Sequence, residues 1–280
     1  MFVIFIAMKA LFLLVFFTAC LSAEIQENSL LHKCWTRYSQ SGEEGVIAEM
    51  VDRLKIENGV FVEFGACDGV LIANTRFLAE RGWSGAFIEA QASYIPKLIA
   101  NCQQFPKVQC VHAFITSIAS DGRGITLDTC AERYFPHQEI DVLSMDTDGE
   151  DYLILERLKM KPKLICIETS GFWHPLLNIR VPDSVASRDL GQPLPEIIRI
   201  AKAKGYTPVC FLVVNLFLVR NDYAHLFSDI KNDPLSLWSD SWEYMRKYYP
   251  NHIEYIRHRR AVEPDICMYD RLPIPPIETQ

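Results

Sequence analysis

Five short apolar runs, four of them ending in an acid or a glycine, alternate with segments of helical spacing, and this constrains the fold more than any other feature. The runs are Val60-Phe-Val-Glu-Phe-Gly65, Ala86-Phe-Ile-Glu89, Val108–Phe114, Asp141-Val-Leu-Ser-Met-Asp146 and Lys163-Leu-Ile-Cys-Ile-Glu168. Between them, Thr75–Arg81 (stopped by Gly82), Tyr94–Cys102 and Tyr152–Leu158 read as helices. Upstream, Val46, Ile47, Met50, Val51 and Leu54 recur at helical spacing after Ser41-Gly-Glu-Glu44. Ser41 with Glu44 is a capping-box signature, which predicts a helix start there. Continuous apolar strands are buried on both faces, and parallel strands need a crossover helix between them. The alternation therefore predicts a parallel sheet covered on both sides.

The far end of the pattern differs. A helix over Leu194–Lys204 ends at Gly205, and two strand runs follow, Tyr206–Leu212 and Asn215–Arg220. So short a connection allows a hairpin and forbids a crossover helix, so one strand should join antiparallel. The expected fold class is α/β: a Rossmann-like, mostly parallel sheet with one antiparallel strand and helices on both faces. The predicted organisation is a leader or anchor over 1–23, a domain over 38–225 and a helical, aromatic extension over 226–280. Within the extension, Leu272-Pro-Ile-Pro-Pro276 reads as a non-helical tail, because proline lacks the amide a helix needs. Arg246, Lys247, Arg257, Arg259 and Arg260 read first as a solvated helix face, with a contact patch for an anionic surface or glycan, or an aromatic cover over the open end of the sheet, as the alternatives.

The first residues stand apart. Phe2–Leu21 is apolar except for Lys9 and Thr18. Counted from Met1, the segment is about as long as a membrane span. Counted from Met8, it becomes Lys9, an apolar core Ala10–Phe17 and a small-residue exit near Ala23, the layout of a cleaved secretory signal. Both readings predict export or membrane attachment through residues 1–23. Lys plus Arg number 28 against 35 Asp plus Glu, a net charge of −7, which argues against a nucleic-acid partner because backbone binding needs a basic face. The nine cysteines include no C-x-x-C, so no zinc ribbon is expected. Cys67, Cys166 and Cys210 read as buried small hydrophobes. Cys102 and Cys110 flank a helix-to-strand turn and can pair in an oxidising compartment.

In a sheet of this kind ligands bind beyond the carboxyl ends of the strands. Four of those ends carry acidic or glycine-rich text: Glu63-Phe-Gly-Ala-Cys-Asp-Gly69, Glu89, Asp146-Thr-Asp-Gly149 and Glu168. Gly65 and Gly69 let the backbone approach a ligand. Glu89 lies close to the ~20-residue offset at which an acid takes ribose hydroxyls. Together they predict a nucleoside site. A carboxylate at Asp68 would repel a pyrophosphate, and the third glycine of a dinucleotide fingerprint is missing. The cationic amino and sulfonium groups of S-adenosylmethionine suit this turn better than NAD does. Competing structural roles are plain: Glu63 and Glu168 as caps of backbone amides, Asp148-Gly149 as a helix N-cap, Glu44 as a capping-box member and Phe114 as core.

The text Ser39-Gln-Ser-Gly-Glu-Glu-Gly45, Val62-Glu-Phe-Gly-Ala-Cys-Asp-Gly69, Asn74-Thr-Arg76, Gly82-Trp-Ser-Gly-Ala-Phe-Ile-Glu89, Val111-His-Ala-Phe114, Asp141-Val-Leu-Ser-Met-Asp-Thr-Asp-Gly149 with Asp151-Tyr152, and Asn215-Leu-Phe-Leu-Val-Arg220 resembles the FkbM-type methyltransferases. These form a branch of the seven-strand S-adenosylmethionine-dependent class. The resemblance spans roughly residues 38–225, and Asp-Thr-Asp-Gly is its most specific piece. It implies a seven-stranded sheet and O-methylation of a sugar or related small metabolite, a glycan acceptor included. It places Glu63, Gly65, Asp68 and Gly69 around the methionine half of the donor, Glu89 on the ribose, and Ala113 and Phe114 beside the adenine. Asp146 and Asp148 would face the methyl group and supply the catalytic base, ahead of His112 and His174. Gln40 and Glu44 are within its reach. Cys67 stands where the family usually has glycine. No metal is expected, since the same carboxylates serve the cofactor. Two other readings compete: an exported, non-catalytic binding module on this fold, because the methyl donor is a cytosolic metabolite, and an NAD-linked oxidoreductase.

Overall fold

The computed structural model describes residues 24–119, 124–147, 149–170, 175–176, 179–186 and 191–250. The N-terminal apolar segment, Asp148, His174, the basic residues beyond 250 and the proline-rich tail lie outside these. Seven strands form one sheet: β1 (Val60–Phe64), β2 (Ser84–Glu89), β3 (Val108–His112), β4 (Val142–Met145), β5 (Leu164–Glu168), β6 (Tyr206–Leu212) and β7 (Asn215–Arg220). Their order is β3-β2-β1-β4-β5-β7-β6. β1 to β5 pair in parallel, and β7 is antiparallel to both β5 and β6. The expected α/β sheet with its single antiparallel strand is the observed one. β1 sits at the centre of the five parallel strands, so its carboxyl end lies between those of β2 and β4.

Strand residues are buried alternately on two sides, which is why the runs read as continuous apolar text. Val62, Phe64, Leu143, Met145, Ile165 and Ile167 pack into one core layer, and Phe61, Phe87, Val142, Leu164, Cys166 and Cys210 into the other. The second layer is covered by α1 (Glu43–Leu54), α2 (Arg76–Glu80) and α3 (Ile95–Cys102). The first is covered by α4 (Leu127–Tyr134), α5 (Asp151–Arg157), α6 (Asp183–Ala186) and α7 (Leu194–Ala203).

Three expectations need revision. The capping box at Ser41 does not form: Gly42 is the N-cap of α1 with no side-chain bond, and Glu44 accepts hydrogen bonds from the preceding loop instead. β3 stops at His112, two residues before Phe114, because Ile115 turns away to bridge Ile125. α4 was absent from the sequence reading; Thr126 caps it by accepting from the Thr129 amide at 3.2 Å.

The C-terminal region also belongs to the core as far as Met245. α8 (Pro234–Tyr248) starts at Asp233, whose carboxylate accepts from the Ser236 amide at 3.0 Å, and proline follows at N1. It lies on β6, where the Val213 amide donates to Ser241 Oγ at 2.8 Å, and it buries Leu237, Trp242, Tyr244 and Met245. Gln26 donates from its amide and its side chain to Asp240, both at 3.1 Å, so the first described residues meet α8 on the same strand. Among the described residues no helix is long and apolar enough to cross a membrane.

Candidate functional site

The centre of the carboxyl edge is the turn after β1. Gly65 has φ +74°, and a Cβ there would sit 2.2 Å from the carbonyl oxygen of Asp146. The missing side chain thus lets the ends of β1 and β4 meet backbone to backbone. The turn is tied on its other side to β2. The Cys67 amide donates to Glu89 Oε2 at 2.7 Å, and the Gln91 amide to Glu89 Oε1 at 2.6 Å. A carboxylate offers about four acceptor positions, so Glu89 retains capacity for two more donors.

Asp68 closes the turn on itself. Its Oδ1 accepts from the Val70 amide at 3.0 Å and the Leu71 amide at 2.8 Å, leaving Oδ2 with no bond to those amides. Gly69 faces the other way: a Cβ there would meet Leu98 Cδ1 at 2.8 Å, so this glycine serves the packing of α3. Cys67 occupies the left-handed region at φ +50°, the conformation for which glycine is favoured. Burial pushes its thiol up to about 11, helped by the charges of Glu89, Asp146, Asp68 and Glu63. Burial and the negative charge of this edge therefore keep the Cys67 thiol protonated.

Glu63 is placed differently from what the resemblance implies. It is 3% exposed, with Oε1 taking the Asn74 amide at 2.7 Å and Oε2 taking both the Thr75 amide at 2.9 Å and the Thr75 hydroxyl at 2.5 Å. Burial raises its pKa against the pull of those donors. Glu63 lies beneath the turn and holds the loop that leads into α2.

At the end of β4, Asp146 is half-buried beside Gly65. The segment after it is shaped by Asp151, which is 3% exposed. Asp151 accepts from the Thr147 amide at 3.0 Å, the Thr147 hydroxyl at 2.8 Å and the Gly149 amide at 3.4 Å. Burial nevertheless pushes its carboxyl up to about 6.

Beyond β3, the Ala113 amide donates to the Glu89 carbonyl at 3.1 Å, which carries the next residue past the end of β2. Phe114 follows with 55% of its surface exposed, so it is not core. His112 is exposed and its ring bonds the Ala90 carbonyl at 3.1 Å. Glu168 is half-buried at the end of β5, opposite Asn215. Gln40 is exposed.

Glu44, named from the sequence, and Glu43, Asn74 and Ser144, to which the sequence assigns no role, complete this edge. Glu43 and Glu44 are fully buried at the start of α1. Glu43 takes the Ser41 amide at 2.7 Å and Asn215 Nδ2 at 3.0 Å. Glu44 Oε2 takes the amides of Arg37, Tyr38 and Ser39 at 2.6, 2.8 and 3.1 Å, while its Oε1 is buried without a hydrogen-bond partner. Asn74 Nδ2 donates to Ser144 Oγ at 3.1 Å, linking the turn to β4. Only the acids at a helix start were visible in the sequence; their burial was not. Among the described residues no group of three or more His, Cys, Asp or Glu side chains is arranged to hold a metal ion.

No protein-family model and no curated protein matches the chain. Among solved structures, the N-terminal domain of EvdMO1 with SAH bound aligns over 65% of this chain and 82% of that one, at 11% identity and a TM-score of 0.44. An S-adenosylmethionine-dependent methyltransferase from Aquifex aeolicus aligns over 61% and 86%, at 12% identity and 0.38. An O-methyltransferase family protein from Burkholderia thailandensis aligns over 64% and 57%, also at 12% and 0.38. At such identities and scores the likenesses carry no chemistry, which has to come from the side chains.

Proposed function

We propose that the chain is an S-adenosylmethionine-dependent O-methyltransferase of the FkbM type, acting on a sugar or another small hydroxylated metabolite. The observation that carries this reading is the turn at Gly65, clamped between the carbonyl of Asp146 and the carboxylate of Glu89. It brings a backbone free of side chain, a ribose-type acceptor and further carboxylates to one strand edge. The residues fit the cofactor by charge: the acidic turn complements an amino group and a sulfonium, and Glu89 has acceptor positions left for ribose hydroxyls. Phe114, exposed past the end of β2, offers an aromatic face to the adenine beside Ala113.

When bound, S-adenosylmethionine supplies a methyl group on a positively charged sulfur. The chain's part is to align an acceptor hydroxyl with it and take the proton. Asp146 is the base in this scheme, with Asp148 as its companion, and Asp151 holds the backbone between them. Gly65 and Gly69 shape the turn from opposite sides, and Glu63 supports it from below. Incubation with S-adenosylmethionine and a panel of sugars and hydroxylated metabolites tests the reading. S-adenosylhomocysteine should accumulate with at least one acceptor, and Asp146→Asn should stop turnover while leaving donor binding intact. Unchanged turnover in Asp146→Asn would remove that residue from the mechanism.

A second reading, an exported binding module on this fold, draws on two observations: both oxygens of Glu89 already take backbone amides, and Cys67 occupies a glycine conformation. In this case no acceptor in the panel would be turned over. Export or attachment through residues 1–23 belongs to both readings, and N-terminal sequencing of protein from secreted, membrane and cytosolic fractions tests it. An intact Met1 in the cytosolic fraction alone would contradict it.

A further inference from the structure

One pair of nucleophilic side chains lies outside the carboxyl edge and is used by neither reading. Cys102 ends α3, and Cys110 sits in the middle of β3, the strand on which that helix packs. Cys110 Sγ donates to the carbonyl of Leu98 at 3.7 Å. In an α-helix that carbonyl is the acceptor for the amide of Cys102, four residues on, so Cys110 reaches the same turn of helix. The neighbouring Cys102 side chain draws the Cys110 thiol below its ordinary pKa by offering it a hydrogen bond. The pair lies directly under the nucleotide-type turn, since a Cβ at Gly69 would be 3.5 Å from Cys102 Sγ. Both are free thiols here.

We propose that Cys102 and Cys110 form an intramolecular disulfide that staples α3 to β3 beneath the glycine turn when the chain meets a low-molecular-weight disulfide. Cys110 is the attacking sulfur: it is half-buried, whereas Cys102 is buried, and the Cys102 donor favours its thiolate. Cys110 releases its proton to water, bonds to one sulfur of the reagent and expels the other half as a thiolate. Cys102 then releases its proton, displaces the remaining half and closes the S–S bond. The two thiols lose two protons and two electrons, and the reagent is reduced to two thiols. Among the described residues the other cysteines do not compete. Burial holds the thiols of Cys34, Cys67, Cys130, Cys166 and Cys210 protonated.

The staple is independent of the catalytic reading, and its test needs no substrate. The full chain is incubated with glutathione disulfide, its remaining thiols are alkylated in denaturant, and it is cut with trypsin without reduction. Lys97, Lys107 and Arg123 bound the relevant fragments, so residues 98–107 and 108–123 should appear joined, two hydrogens lighter than their sum, and separate on reduction. Closing so short a loop should raise the unfolding midpoint by roughly 5–10 °C over the reduced form. Cys110→Ser and, independently, Cys102→Ala should each abolish that redox-dependent difference. Recovery of both cysteines alkylated from the oxidised protein would overturn the proposal. So would a glutathione adduct persisting on Cys110, or linkage of either residue to a different cysteine.

Discussion

Replacing Gly65 with alanine separates two effects that the structure assigns to one residue. The first is conformational: at φ +74° any L side chain costs about 1–2 kcal/mol. The second is contact: the new Cβ would stand 2.2 Å from the Asp146 carbonyl oxygen, 3.2 Å from its carbonyl carbon and 3.3 Å from its Cβ, so the ends of β1 and β4 must part. Ordinary carbon–oxygen contact lies more than 1 Å farther out, and overpacking of this size costs about 1–3 kcal/mol. Gly82 supplies the control. It has φ +84° but nothing within 4 Å of a Cβ, so Gly82→Ala carries the conformational cost alone. With roughly 2–4 °C of unfolding midpoint per kcal/mol in a chain of this size, Gly82→Ala should lose about 2–8 °C and Gly65→Ala about 4–20 °C. Because a displacement of 1 Å at a site can cost about 100-fold, Gly65→Ala should also lose donor binding, which Gly82→Ala keeps. Equal midpoints for the two variants, with donor affinity intact in both, would refute the close approach of β1 to β4 as the basis of the site.

Other outcomes follow from the same geometry. Cys67→Gly should raise stability by about 1 kcal/mol by relieving its left-handed backbone, read as a higher unfolding midpoint, while Cys67→Val should lower it. Asp151 binds its proton more tightly folded, at about 6, than unfolded, near 3.8. Its contribution to stability is therefore greatest below pH 4 and falls by ~3 kcal/mol as pH rises through 6, so Asp151→Asn should flatten the stability profile between pH 4 and 6. Glu63→Gln withdraws one of two acceptors that serve three donors, and denaturant titration should show a loss of about 1–3 kcal/mol.

The sheet was largely legible in the sequence because its strands are buried on both faces and its crossovers leave a helical period. The hairpin of β6 and β7 was equally clear, since two apolar runs that close together have few other solutions. What escaped the reading depends on distant neighbours. Ser41 and Glu44 carry a capping-box spacing, yet Glu44 is drawn to the amides of residues 37–39, which no local pattern reveals. Glu63 looks like a ligand residue at a strand end, but the loop at Asn74 and Thr75 folds back over it and takes both oxygens. The aromatic text after residue 228 allows a cover over the open end of the sheet, but no local pattern reveals that Trp242 and Tyr244 join the layer holding Phe61 and Phe87. That Gly65 and Glu89 would meet at one strand edge was legible because each stands at the end of a strand and the sheet order sets those strands side by side.

Calorimetric titration of the full chain with S-adenosylhomocysteine, against NAD as comparator, tests the central claim most directly. The account predicts saturable one-to-one binding with a dissociation constant on the order of 1 μM to 1 mM, the ordinary range for such sites. It predicts no binding of NAD, and a loss of roughly 10- to 100-fold for Glu89→Ala, the worth of hydrogen bonds to a charged group. Binding of NAD alone, or silence toward both nucleotides by a folded chain, would contradict it.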